Sequence, residues 1–62
     1  MTTYAISNRH GYDYGTYEGA TAREAIEAMY RDGGYPTLEL AADVLGIGVD
    51  EMLAEIRADE VA

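Results

Sequence analysis

Thr21-Ala22-Arg23-Glu24-Ala25-Ile26-Glu27-Ala28-Met29-Tyr30-Arg31-Asp32-Gly33-Gly34 decides how the rest of the chain is read. Thr21 and Glu24 stand at the spacing of a capping box, where a hydroxyl and a carboxylate satisfy free N–H groups at a helix start. Ala22, Ala25, Ile26, Met29 and Tyr30 then fall on one stripe at helical spacing. Glu27 and Arg31 form a favourable i,i+4 pair, and Arg31 also suits the negative end of the helix. Gly33-Gly34 stops it. A helix with one apolar stripe needs a layer to pack on, and the flanking segments must supply it.

Upstream, Thr2–Asn8 alternates Tyr4 and Ile6 with Thr3, Ala5 and Ser7, the period of a half-buried strand. Asn8-Arg9-His10-Gly11 is a turn cluster. Tyr12 to about Glu18 reads as the second strand of a hairpin, with Gly15 and Gly19 marking a bulge or a close backbone approach. Downstream, Pro36 holds Tyr35 out of the helical region, and Thr37 caps a second helix. Leu38, Ala41, Ala42 and Leu45 mark its inward face, and Gly46 its left-handed cap. Asp50 is the N-cap expected for a third helix from Glu51 to about Ala58, with Met52, Leu53 and Ile56 inward. Asp59-Glu60-Val61-Ala62 is expected to fray. The predicted fold is one small α+β domain over 1–62. A two-stranded antiparallel hairpin (1–19) precedes two or three short packed helices (20–62), in the order ββααα.

The chain has 62 residues and no Cys, so it forms neither a disulfide nor a thiolate metal site. Its 48% hydrophobic content is too high for a disordered acidic tail. No apolar run is long enough to span a membrane, and the first residues lack the order of a signal peptide. A cytoplasmic protein is expected. A domain of this length buries only about 60% of its unfolded surface. With no Trp and no Phe the core is thin, so a homodimer or a partner surface would complete it.

Twelve acids stand against four Arg and no Lys, for a net charge of −8. The charge is uneven. In residues 1–19, Arg9 against Asp13 and Glu18 leaves −1; in residues 20–62, three Arg against ten acids leaves −7. The front is nearly neutral and rich in tyrosine, and the back is acidic.

Catalytic chemistry finds little support. Ser7, His10 and Asp13 are the one nucleophile-base-acid set, and nothing around a turn fixes their geometry. Asp50, Glu51 and Glu55 cluster without the alternating order of a calcium loop. Gly11, Gly15 and Gly19 are evenly spaced but precede no helix in the manner of a phosphate cradle, and a P-loop Lys is missing. No enzyme, no cofactor and no metal are expected.

Thr37 to Ile56 resembles a helix-turn-helix segment, with Ala42, Gly46-Ile47, Met52-Leu53 and Ile56 where that motif packs. The resemblance implies a small transcriptional regulator or dimerisation module. Its second helix, however, shows Asp50, Glu51, Glu55 and Asp59 against Arg57 alone, which DNA phosphates would repel. No direct binding to nucleic acid is expected.

Two features point to a protein partner. Glu51, Glu55 and Asp59 lie at i, i+4 and i+8, and Glu39 with Asp43 makes a second like-charge pair. On a helix each step of four advances about 6 Å, so such a row imitates a phosphate backbone. It would dock a basic groove meant for nucleic acid, steered there by its charge. The same acids would also simply keep a small protein soluble. Tyr12, Tyr14 and Tyr17 are the second feature, since Tyr is enriched in binding hot spots and at least one ring should be exposed. By size, charge and hairpin-then-helix order, the chain resembles in type the small inhibitors of phages and mobile elements, such as anti-CRISPR proteins. That resemblance implies an inhibitor that covers a basic, nucleic-acid-binding surface of a larger protein.

Overall fold

The computed structural model describes residues 1–61. The elements are β1 (Thr2–Asn8), β2 (Asp13–Gly19), α1 (Ala22–Asp32), α2 (Leu38–Leu45), α3 (Val49–Ala54) and β3 (Ile56–Glu60). The three strands form one antiparallel sheet in the order β2-β1-β3. The helices cover one face of it. The fold is α+β, with three strands where the sequence predicts two.

Local chemistry builds the front half as expected. The Thr21 hydroxyl oxygen accepts from the Glu24 N–H at 3.2 Å and starts α1, but the Glu24 carboxylate does not bond back to the Thr21 N–H, so only half of the expected capping box forms. Ala25, Ile26 and Met29 of α1 are buried, and Ala22 and Tyr30 are half-buried. The hairpin turn is held by Asn8, whose Oδ1 accepts from the N–H groups of His10 and Tyr12. Ile6 pairs with Gly15 and Ser7 with Asp13, so Tyr14 is one residue too many in β2. This is a bulge, and Gly15 takes its positive φ of 98° there. It turns the Tyr14 ring to the helix side, half-buried against the core.

The buried core is Ile6, Ala25, Ile26, Met29, Leu38, Ala41, Ala42 and Met52. Three of these eight are alanines, so large apolar volume is scarce. The half-buried rings of Tyr4, Tyr14, Tyr17, Tyr30 and Tyr35 pack round it and take the place of missing Phe and Trp.

The back half departs from the prediction in three places. The third helix does not run from Glu51 to Ala58: α3 ends at Ala54, and residues 56–60 are β3. Ile56, Ala58 and Glu60 pair with Asn8, Ile6 and Tyr4 along the free edge of β1. A two-stranded hairpin is marginal in water, and this third strand completes the sheet. Asp59 and Glu60, expected to fray, are paired residues of that strand, and the Val61 N–H donates to the Thr3 carbonyl at 2.9 Å. Ala62 lies outside the described residues. The second departure is the start of α3. Its N-cap is Gly48, without a side-chain cap, and Asp50 sits inside the first turn with Glu51, where negative charge suits the helix start. The third is Leu45, which is 54% exposed although it falls on the inward side of α2. The chain turns away at Gly46, whose φ of 75° caps the helix, and no layer covers Leu45.

Thr37 caps α2 as predicted, its hydroxyl oxygen accepting from the Leu40 N–H at 3.1 Å. The Thr21 cap offers a clean check. Thr21→Ala should lower stability by about 1 kcal/mol. A chemical-denaturation midpoint that does not move would deny the cap that role.

Candidate functional site

Two neighbouring features of the helical side have the makings of a site: an acidic and apolar flank on α2, and a cleft at the hairpin-turn end. Among the described residues no three His, Asp or Glu side chains are placed to hold a metal ion. Likewise no helix is long and apolar enough to cross a membrane.

The flank follows from helix geometry. Residues of α2 step about 100° apart. Leu38, Ala41 and Ala42 face the core. Glu39 and Asp43 then share one exposed side, and Leu40 and Val44 the next. Leu40 is 42% and Val44 61% exposed, an apolar strip beside an acidic one. Asp50 and Glu51 are exposed at the start of α3, just past the turn.

Each arginine is taken up by an ion pair. Arg9 meets Glu55 at 3.7 Å, Arg23 meets Glu39 at 3.3 Å, Arg31 meets Glu27 at 3.4 Å and Arg57 meets Asp59 at 2.9 Å. Such exposed pairs add little stability. Their effect on the surface is larger, because they remove the cations that would screen it. Asp13, Glu18, Glu24, Asp32, Asp43, Asp50, Glu51 and Glu60 have no arginine partner among the described residues.

The predicted row Glu51, Glu55, Asp59 does not exist as a row. Glu51 is on α3, Glu55 follows its end, and Asp59 is on β3. Asp59 pairs with Ala5, so it lies with Arg57, Ser7, Thr16 and Glu18 on the sheet face that no helix covers. Glu39 and Asp43 do share a helix side, with Glu39 bound to Arg23. The carboxylates are therefore spread over two faces.

The tyrosines also separate. Tyr12 is 62% exposed, with its ring centroid 4.9 Å from that of Tyr14. Tyr17 donates from its hydroxyl to Asp32 at 3.0 Å, tying β2 to the end of α1. That bond raises the Tyr17 phenol above its ordinary value, and the nearby Asp32 charge adds to it.

The cleft encloses about 210 Å³ between the hairpin turn, the α2–α3 turn and the start of β3. Leu45, Ile47, Met52 and Ile56 are its apolar walls. Asn8, His10, Tyr14, Tyr30 and Glu55 supply its polar groups. Burial raises the Tyr30 phenol above its ordinary value, and Tyr14, Tyr35 and Glu55 add to the shift. The Arg9 N–H donates to the Glu55 carbonyl at 3.0 Å, closing the hairpin turn on the α3–β3 junction. Sequence reasoning missed this cleft. His10 figured only in a discarded triad, and Tyr30 only as a core residue. Ser7 and Asp13 of that triad pair on the uncovered sheet face, whereas His10 lines the cleft.

Compared with known proteins, the chain matches no family model, no curated protein and no solved structure. Its class is set by its own residues: a small acidic α+β domain with an exposed apolar strip.

Proposed function

We propose that the protein is a non-catalytic binding module that covers a basic, nucleic-acid-handling surface of a larger protein. The observation that carries this reading is the pairing off of all four arginines, which leaves Asp43 unscreened on α2 beside the exposed Leu40 and Val44, and Asp50 and Glu51 unscreened at the start of α3. Acids steer the encounter over a distance, and the apolar strip supplies short-range burial once docked. A second copy is a weaker occupant for the strip, since two chains of charge −8 repel each other. On this reading the protein works in the cytoplasm, beside the nucleic acid that its target handles.

A helix-turn-helix regulator is the competing reading, favoured by the left-handed Gly46 turn between α2 and α3. Against it, α3 has only six residues, with Asp50 and Glu51 in its first turn. Phosphate would be repelled from that end.

The test is direct. The immobilised chain should retain a protein of its source cell that duplex DNA displaces. Asp43→Lys combined with Asp50→Lys should slow that association by about tenfold at low salt and flatten its salt dependence. A retained protein that still binds DNA fully with the chain in excess would overturn the reading. An unchanged on-rate would reduce the acidity to a solubility device. A low-salt gel shift by the chain itself would favour the regulator.

A further inference from the structure

The cleft has a chemistry that the acidic flank lacks. Tyr14 and Tyr30 bring two phenol rings to it and Glu55 a carboxylate, while Leu45, Ile47 and Ile56 line it with aliphatic surface. Aromatic rings and a carboxylate attract the same class of group, a desolvated cation. The aliphatic walls suit the methylene stem that carries such a cation on a side chain. Its volume of about 210 Å³ suits one long side chain. Sites for drug-sized ligands start near ~300 Å³. Burial first, and then the Glu55 charge, holds the Tyr30 phenol neutral, so its ring offers an uncharged face to the cleft. The attraction for an incoming positive charge comes from the Glu55 carboxylate in the lining.

Glu55 is also free enough to take a second partner. Its backbone is fixed by the Arg9 N–H, but its carboxylate meets Arg9 Nη1 only at 3.7 Å. Both side chains of that pair are more than half exposed, at 65% and 54%.

We propose that this cleft receives an arginine side chain of the protein partner. The guanidinium sits against Glu55 and the rings of Tyr14 and Tyr30, and the methylenes lie along Leu45, Ile47 and Ile56. Arginine is chosen over lysine because a planar guanidinium stacks on phenol rings and bonds a carboxylate with two N–H groups at once. It is also a group that nucleic-acid-binding surfaces present in number. The proposal rests on the reading of the chain as a cover for such a surface.

The test needs no partner. The full chain is titrated with N-acetyl-arginine amide and followed by NMR, with N-acetyl-norleucine amide as the uncharged probe. Saturable shifts should centre on Tyr14, Tyr30, Ile47 and Ile56, with a dissociation constant on the order of a millimolar. Norleucine amide should bind at least about tenfold more weakly. Glu55→Gln should weaken arginine binding by about fivefold, and Arg9→Ala, which frees Glu55, should tighten it by about twofold. Equal binding of the two probes would assign the cleft to an apolar group and overturn the proposal. Shifts that spread over Asp43, Asp50 and Glu51 without saturating would overturn it too. If Glu55→Gln fails to fold, Arg9→Ala decides alone, and unchanged binding there counts against the proposal. Failure here is separable from failure of the broader reading. Partner capture that Glu55→Gln retains and Asp43→Lys with Asp50→Lys loses leaves the acidic cover standing without its arginine cleft.

Discussion

Gly19→Ala should come close to unfolding this domain. Gly19 is the last residue of β2 and is buried under the start of α1. A Cβ added there would stand 2.6 Å from the Ala25 backbone nitrogen and 2.9 Å from the Glu24 Cβ. The nearest atom belongs to helix backbone, so no side chain can swing away to make room. Relief requires α1 to lift off the sheet, and α1 carries Ala25, Ile26 and Met29, three of the eight buried core residues. Overpacking of this kind costs about 3 kcal/mol at its upper end. A chain of this size has about 3–9 kcal/mol to lose. The thermal midpoint should therefore fall by about 15 °C or more. Gly48→Ala is the control, because a Cβ there meets nothing within 4 Å. If both variants melt together near the parent temperature, strand and helix do not approach as closely as described.

Gly19 also shows which parts of the fold could be read from sequence. A glycine inside a strand pattern signals either a bulge or a close approach, and β2 contains one of each: the bulge before Gly15 and the approach at Gly19. The caps at Thr21 and Thr37 were legible for a similar reason. Their chemistry is satisfied within three residues, by Glu24 and Leu40, and needs nothing from elsewhere in the chain. The segment after Asp50 is different. Met52, Leu53 and Ile56 fit the inward face of a helix, while Ile56 and Ala58 also fit one side of a strand. Local pattern cannot choose between them. The choice is made by β1, whose second edge lies open until residues 56–60 pair with it.

The site inherits that ambiguity. The acids and the tyrosines were visible as composition, but their grouping depends on where the chain leaves α3. Carried on as a helix, Glu51, Glu55 and Asp59 would make a phosphate-like row. With β3 in place, Asp59 goes to the uncovered sheet face beside Arg57. Glu55 turns instead to Arg9 and the cleft. Tyr30 and His10 gain their place there only through that closure, across sequence distances no periodicity records.

Deleting residues 57–62 separates the two arrangements most sharply. Were the chain helical to Ala58 and frayed beyond it, the loss would be slight, about 0.5 kcal/mol, as for other exposed surface. In the three-stranded sheet the same deletion removes the partners of Tyr4, Ala5, Ile6 and Ser7, and the Val61 N–H from the Thr3 carbonyl. Each ladder hydrogen bond contributes about 1 kcal/mol net. Ile6, fully buried at the centre of the sheet, also loses Ala58 beside it. Together these amount to about 3–5 kcal/mol, the greater part of what holds a chain this small. What remains is a two-stranded hairpin under three short helices, with one edge of its central strand stripped of every partner. The shortened chain should lose its cooperative melting transition and its strand signal in circular dichroism. It should also lose protection of the Ala5 amide against hydrogen exchange, which faces Asp59 and reports the β1–β3 ladder directly. A truncated chain that melts within a few degrees of the parent, with that amide still protected, would return residues 56–60 to the helix or to the solvent.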